Sequence, residues 1–190
     1  MGETLSALDV AKAAEWFAAA AAYPEGSIPP AECVRYVERW IDDPDALLRA
    51  RDKVEYTGLF DIGSPEPPAP LMESHYQQDK QARLRQVVTF YRTYGVINET
   101  EFPPDHLCVE LSFLSFLASL ASDYPDREDL TEAYRFFSRV HPGSWLGAAI
   151  SVLEREAPNS AYTVLLKGAG RFLDEVAADL ELPVEVEHHL

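Results

Sequence analysis

Two residues capable of acid–base chemistry stand one helical turn apart near the middle of the chain. His106 and Glu110 are four residues apart, so a helix would place both side chains on one side. Their neighbours are almost all apolar, and a carboxylate in such surroundings must be paired, protonated or in contact with a cleft. A structural pair would have Glu110 bonded to an arginine of another helix and His106 bonded to a carbonyl group. A functional pair would lie at the mouth of a cleft.

A metal ion is another use for such side chains. Cys108 lies between them, but the His-x-Cys spacing does not place both side chains on one face of a helix. Metal sites usually show several correctly spaced ligands, and the sequence offers no second ligand pair. We therefore predict no metal and no cofactor. The alternative is a small helical metalloprotein or enzyme that uses His106, Glu110 and His141 as acid, base or ligands.

Residues 105–122 are predicted to form the buried helix that positions these groups. Pro103 and Pro104 cannot continue a preceding element, and Asp105 can accept hydrogen bonds from the free N–H groups of the next turn, so Asp105 is the predicted N-cap. Apolar side chains cover nearly every face, which is typical of a buried helix. One face carries only small residues, which would let a neighbouring helix approach closely: Cys108, Ser112, Ser115, Ser119 and Ser122.

The remaining segments also read as helices, because apolar residues recur at helical spacing and no strand-like alternation occurs. The predicted helices run over about residues 6–22, 30–40, 43–60, 80–94, 126–140, 144–156 and 160–181. Gly95 is placed to end one helix, and Gly168 with Gly170 predicts close packing inside the last. The proline-rich residues 61–75 form an extended connector.

The predicted fold is therefore all-α, a single-domain bundle of about eight helices around the buried central helix. The domain is expected to cover residues 1–183, followed by a disordered tail at 184–190. His188 and His189 lie in that tail and are left out of the candidate site. A chain of 190 residues with 47% hydrophobic composition suits one core.

Charge and hydropathy limit the function. The 32 acidic and 16 basic residues give a formal net charge of −16, which excludes nucleic acid as a partner. Acidity of this size is explained either by solubility or salt adaptation, or by recruitment of a basic peptide, and both explanations stay open. No apolar run reaches the roughly 20 residues of a membrane helix and no signal-peptide pattern begins the chain, which predicts a cytoplasmic protein without stable membrane insertion. The two cysteines are expected to be reduced.

The string EFPPDHLCVELSFL, residues 101–114, resembles the signature of the TorD/DmsD/NarJ family, approximately E-x-P-x-D-H-x-x-x-E-L-x-F. All its fixed positions are matched, by Glu101, Pro103, Asp105, His106, Glu110, Leu111 and Phe113. A second family pattern, F-F-x-x-H-L-x-P-W, is similar to residues 136–145, which keep the aromatic pair, His141 and Trp145. Pro142 and Ser144 stand where the family usually has Leu and Pro. Residues 70–76 are similar to a third stretch, P-x-x-E-S-x-Y, so the resemblance covers about residues 70–180.

The resemblance implies a cytoplasmic chaperone, not an enzyme. Such a chaperone binds the N-terminal twin-arginine signal or leader segment of a molybdenum-containing oxidoreductase catalytic subunit, and assists cofactor insertion, assembly and export proofreading. The peptide-binding residues that it implies are Asp105, His106, Glu110, Tyr76, His141 and Trp145. A leader peptide suits a groove with an apolar floor and carboxylates at one end. The chain is expected to be a monomer or homodimer. A bundle that only scaffolds a partner protein is a third alternative.

Overall fold

The computed structural model of the chain describes residues 5–24, 31–44, 50, 52–61 and 67–178. Within these ranges the α-helices are α1 (Ala7–Ala21), α2 (Lys53–Phe60), α3 (Lys80–Thr93), α4 (Leu107–Asp123), α5 (Glu128–Val140), α6 (Pro142–Glu156) and α7 (Ala161–Ala177). Short 3₁₀ helices span Ala31–Tyr36, Glu38–Trp40 and Glu73–Tyr76. No strand occurs in the described ranges, and the all-α prediction is confirmed. The predicted domain end at 183 and the tail at 184–190 lie outside them.

Helix α4 is the central element, as the sequence predicted. Ten of its 17 residues are buried, and it packs against α1, α5 and α6. Helix α1 lies along the face of small residues, where Ser115 Oγ donates a hydrogen bond of 2.9 Å to the carbonyl of Ala11. On the α1 side, Ala13 and Ala14 are fully buried. Small side chains on both helices therefore allow the close approach that was predicted.

The N-cap of α4 is His106, so the prediction that Asp105 caps this helix is wrong. His106 has extended backbone angles, and its Nδ1 accepts a hydrogen bond from the N–H of Cys108. Asp105 lies one residue before this N-cap. The chain there pairs with the proline-rich connector through a bridge between Met72 and His106. Its side chain accepts from the N–H of Ser74 at 2.9 Å. The carboxylate thus joins two segments of the chain instead of capping a helix.

Several other boundaries differ from the prediction. In its described part, the predicted second helix forms two 3₁₀ segments. The described helix that ends at Phe60 begins at Lys53, directly after its N-cap Asp52. Helix α6 starts at Pro142 and not at Ser144, since a proline at the first helical position needs no N–H partner. It follows α5 with only His141 between them. A Cβ on Gly143 would lie 2.7 Å from the carbonyl oxygen of Ser138, so this tight junction requires glycine.

Helix α7 packs against the segment 38–42 as closely as its glycines predict. A Cβ on Gly168 would lie 2.7 Å from Ile41 Cγ1. Arg171 holds the same segment through hydrogen bonds to the carbonyl of Trp40 and to Asp42. Gly95 ends α3 with a φ of 71°, as predicted. No helix in the described part of the chain combines the length and apolar character needed to cross a membrane.

Candidate functional site

The end of the proline-rich connector lies directly against the start of α4. The N–H of Glu73 donates to the carbonyl of Asp105, and the N–H of Leu107 donates to the carbonyl of Leu71, both at 2.9 Å. Asp105 also accepts from Ser74, as described above. No spacing or pattern in the sequence joins these segments, which are more than 30 residues apart. Their pairing places the 3₁₀ turn Glu73–Tyr76 beside Glu110.

Glu73 is the centre of a buried polar cluster and was missing from the predicted site. Its Oε1 accepts hydrogen bonds from Arg83 Nε and, at 3.4 Å, from Ser144 Oγ, while its Oε2 lies 3.0 Å from His141 Nδ1. Burial opposes ionisation, but the hydrogen bond and charge of His141, with the charge of Arg83, outweigh it and lower the pKa of Glu73. Glu73 is therefore the charged carboxylate of the cluster.

Arg83 connects this cluster to the end of α5. Besides Glu73 it donates to the carbonyl of Val140 and to Ser144 Oγ. The carbonyl of Val140 belongs to the last turn of α5, where backbone acceptors lack helical partners. In the structural alternative, an arginine of another helix would pair with Glu110. The arginine is present, but its partner is Glu73.

Glu110 is fully buried and has a different environment. Its Oε2 accepts a hydrogen bond of 3.1 Å from Trp145 Nε1, and its Oε1 has no assigned partner among the described residues. Burial, followed by the negative charge of Glu73, raises the pKa of Glu110 well above its ordinary value. The pKa values of the two buried glutamates are therefore shifted in opposite directions.

His106 lies away from this cluster, against Phe102, with ring centroids 4.8 Å apart. Its Nδ1 accepts from the N–H of Cys108 and is 3.0 Å from Cys108 Sγ, so its partner is not the carbonyl group that the sequence suggested. Burial lowers the pKa of His106 to about 4 and raises the pKa of the free thiol of Cys108 to about 12. Both groups are neutral at physiological pH.

Tyr76 and Trp145 complete the predicted set. Their rings are stacked, with centroids 5.3 Å apart and planes 14° from parallel. Tyr76 is half-buried, whereas Asp105, His106, Glu110, His141 and Trp145 are buried. The structure thus gathers Tyr76, Glu110, His141 and Trp145 around Glu73 and leaves His106 on another side. Five of the six predicted residues have little surface to offer a peptide, and their role in binding one stays a prediction.

The alternative prediction used His106, Glu110 and His141 as metal ligands or acid–base groups. Glu110 and His141 do come together, but Glu73 stands where His106 was expected, with one atom of each of the three within 4.8 Å of the others. Such spacing would suit a metal ion. However, Arg83 already supplies positive charge to Glu73, and His141 is hydrogen-bonded to the same carboxylate. We therefore assign no metal to this cluster.

Two open cavities flank the signature segment. The larger, which we call the α1–α4 groove, has a volume of about 670 Å³ and is lined by alanines of α1, the α4 side chains Val109, Phe113 and Phe116, and residues 96–100. The smaller, the aromatic pocket, measures about 430 Å³ and is lined by Tyr23, Tyr56, Phe60, Phe102 and His106, with Asp61 and Glu101. Phe102 lines both. Signature residues contribute to both cavities, Phe113 to the α1–α4 groove and Glu101 with His106 to the aromatic pocket.

Two known assembly chaperones are similar to this chain in sequence. The chain is 32% identical over 120 residues to a chlorate reductase assembly chaperone protein from Ideonella dechloratans, a match covering 59% of this chain and 62% of the relative, which is less than two thirds of its length. It is 31% identical over 137 residues to a selenate reductase assembly chaperone protein from Thauera selenatis, covering 67% of this chain and 69% of the relative. Both relatives are named as assembly chaperones.

The fold also has a solved counterpart. A crystal structure of a protein described as a redox enzyme maturation protein from Archaeoglobus fulgidus matches with a TM-score of 0.58 and 24% identity, covering 86% of this chain and 93% of that one. The family model described as nitrate reductase delta subunit matches residues 30–151, nearly two thirds of the chain. The resemblance seen in residues 101–113 is therefore confirmed, and the chain belongs to the nitrate reductase delta subunit family of NarJ- and TorD-type proteins.

Proposed function

We propose that the chain is a cytoplasmic maturation chaperone that binds the N-terminal leader of a molybdenum-containing oxidoreductase catalytic subunit. By binding this segment it assists cofactor insertion and assembly, and it delays export of a twin-arginine leader until assembly is complete. The family membership and the names of the two relatives support the general role. The observation that supports leader binding is the α1–α4 groove, an open apolar cavity beside the signature segment.

The groove has the properties that an amphipathic peptide needs. Its floor consists of small alanines on α1 and larger apolar side chains on α4. Ile97 stands at its edge with 78% of its surface exposed, although it is a large apolar residue. A helix with one apolar face could bury such a surface in the manner of other helix-in-groove complexes.

The charges around both cavities favour a basic peptide. Glu15 and Glu99 line the groove, and Asp61 and Glu101 line the aromatic pocket, all four being exposed. Neither cavity has a lysine or arginine among its described lining residues. Carboxylates beside an apolar floor complement a segment that carries arginines next to an apolar stretch. The same carboxylates would attract the peptide less strongly at high salt.

Replacement of Ile97 tests the groove. Ile97→Ser removes an exposed apolar contact, so we expect unchanged thermal unfolding and weaker binding of a fluorescent leader peptide. The loss should be about 1–2 kcal/mol, roughly a tenfold rise in Kd, because a buried aliphatic side chain contributes about that much. The peptide should copy the N-terminus of the catalytic subunit of a molybdenum enzyme from the same organism.

Val54→Ser is the matched control, since Val54 is 82% exposed on α2 and lines neither cavity. Peptide binding should be unchanged in this variant. Equal affinities of the parent and Ile97→Ser would reject the groove as the binding surface. No binding of any leader peptide at low salt would reject the proposed function itself.

A further inference from the structure

The hydrogen bonds of Glu110 are incomplete if its side chain is ionised. An ionised carboxylate only accepts hydrogen bonds, and the one assigned donor, Trp145 Nε1, contacts Oε2. Oε1 is left with no donor at a position without solvent contact. Leaving a buried charged oxygen unpartnered is costly, whereas a protonated oxygen becomes a donor. The position of Oε1 therefore calls for a proton.

An acceptor for that proton lies beside it. Glu73 faces Glu110 across the interface between the 3₁₀ turn and α4, and the closest ligating atoms of the two carboxyl groups and His141 are within 4.8 Å. Glu73 already has its own partners, the Arg83 guanidinium and the His141 ring, so it can remain ionised. Two like charges at such a distance cannot both persist in a buried site. One proton between two carboxyl groups removes the conflict.

No described group donates a hydrogen bond to Glu110 Oε1, the unpartnered hydroxyl of Tyr76 included. Asp105 precedes it on the same segment, and its negative charge also favours a protonated Glu110. Cys108 lies two residues before Glu110 on α4 and stays a neutral thiol. Tyr91 of α3 already donates its hydroxyl to the carbonyl of Pro104. His141, at the α5–α6 junction, is directed at Glu73.

We propose that Glu110 is a positioning residue that stays protonated and donates a hydrogen bond to Glu73. This hydrogen bond holds the Glu73–Tyr76 turn against α4. The inference does not depend on the proposed function. It assigns the signature glutamate a role as a neutral donor, not as a charged contact for a basic peptide. Because the turn carries Tyr76, the same hydrogen bond also fixes the stack of Tyr76 on Trp145.

This arrangement determines how stability depends on pH. Folding raises the pKa of Glu110 above its ordinary value of 4.5, so its contribution is complete below that pH. As the pH rises from 4.5 towards the folded-state pKa, the unfolded chain loses the proton while the folded protein keeps it, and the contribution declines. With Glu110 protonated in the folded protein, as proposed, unfolding at pH 7 should release one proton from this pair.

Proton release on unfolding is the first test, measured by calorimetry in two buffers of different ionisation enthalpy. Glu110→Gln removes the titrating group but keeps an N–H donor for Glu73, so this variant should release one proton fewer than the parent at pH 7. Equal proton release from both proteins would overturn the proposal. Metal analysis of untagged parent protein belongs to the same test, because a stoichiometric bound ion would explain the cluster instead of a proton.

Hydrogen exchange of the turn is the second test, and it separates a hydrogen bond from simple packing. Protection of the Ser74 and Leu107 amides should be retained in Glu110→Gln and reduced at least tenfold in Glu110→Leu, which has no donor. Glutamine is expected to preserve the protection of these amides at position 110 only. Glu73→Gln should lose protection, because it gives up the charge that Arg83 and His141 require. Equal protection in the glutamine and leucine variants of Glu110 would also overturn the proposal.

Discussion

The polar side chains of the signature serve mainly to join segments of chain that are distant in sequence. Asp105 accepts from the backbone of the connector, and Glu110 accepts from Trp145 of α6. Glu73 receives Arg83 from α3 and His141 from the α5–α6 junction. Each of these bonds replaces water lost on burial, so removing one partner costs more than the bond itself contributes. The signature residues are thus needed for the fold even where they are also expected to bind a peptide.

Asp105 gives the clearest test of this structural role. Asp105→Ala leaves the N–H of Ser74 without its acceptor, and we expect a loss of about 1–3 kcal/mol in the free energy of unfolding. Asp105→Asn keeps an acceptor oxygen and should lose less. Urea unfolding measures both variants. The control is Asp123→Ala, because Asp123 is exposed at the end of α4. If Asp105→Ala were no less stable than this control, the hydrogen bond to Ser74 would contribute nothing measurable.

The sequence could predict only part of the site. Asp105, His106 and Glu110 could be found because the signature motif and helical spacing mark them. Glu73 could not be found that way, since it lies in a proline-rich connector without periodicity, and its role depends on pairing with a segment over 30 residues away. The weak match of residues 70–76 to a family stretch was the available signal. The sequence predicted a buried helix, but spacing does not show which face of α4 each neighbouring element covers.

Between helices, contact distance is set by a few small residues. The clearest case is Gly168, where α7 meets the backbone of Trp40 and the side chain of Ile41. This contact is fixed further by Trp40 Nε1, which donates to Glu175 Oε2 at 2.7 Å. The segment 38–42 would have to move outward if α7 carried a larger residue here.

Gly168→Ala should therefore destabilise the protein, by about 1–3 kcal/mol, because the new methyl group would overlap Ile41. Gly147→Ala is the matched control. Gly147 is also in a helix, but a Cβ there meets nothing within 4 Å, so alanine should stabilise α6 by about 0.5–1 kcal/mol. Thermal unfolding of the two variants should shift in opposite directions. A shift to higher temperature in both would show that α7 is not closely packed at Gly168.

The helices that could be predicted well have strong local signals. Helix α1 begins with a capping box of Ser6 and Asp9, and α3 ends at Gly95 as expected. The segment 30–40 was predicted as one helix because its apolar residues recur at helical spacing, but its described part forms two 3₁₀ pieces. There, contacts of Trp40 and Arg39 with Glu175 of α7 outweigh local preference. Tertiary contacts of this kind cannot be read from spacing.

The net charge of −16 acts on the protein as a whole. Ion pairs on the described surface include Arg171 with Asp42, Lys167 with Glu154 and Arg127 with Asp129. Each exposed pair contributes only about 0–1 kcal/mol. They cannot compensate an excess of 16 negative charges, whose mutual repulsion favours the more expanded unfolded chain. The same excess would speed the encounter with a basic leader peptide. Acidity therefore lowers the stability of the fold while it favours recognition of the peptide.

Sodium chloride should consequently stabilise the protein against heat. Raising the salt from about 0.01 M to about 0.1 M shortens the Debye length from about 30 Å to about 10 Å, which screens repulsion across the surface. A gain on the order of 1 kcal/mol corresponds to a rise in Tm of about 2–4 °C for a chain of this size, measurable by differential scanning calorimetry. A variant with Glu99→Gln and Asp123→Asn, two exposed acids, should unfold at a higher temperature in low salt and respond less to added salt. A Tm that falls with salt would mean that ion pairs outweigh repulsion, and the acidity would then need a local explanation in the carboxylates beside the two cavities.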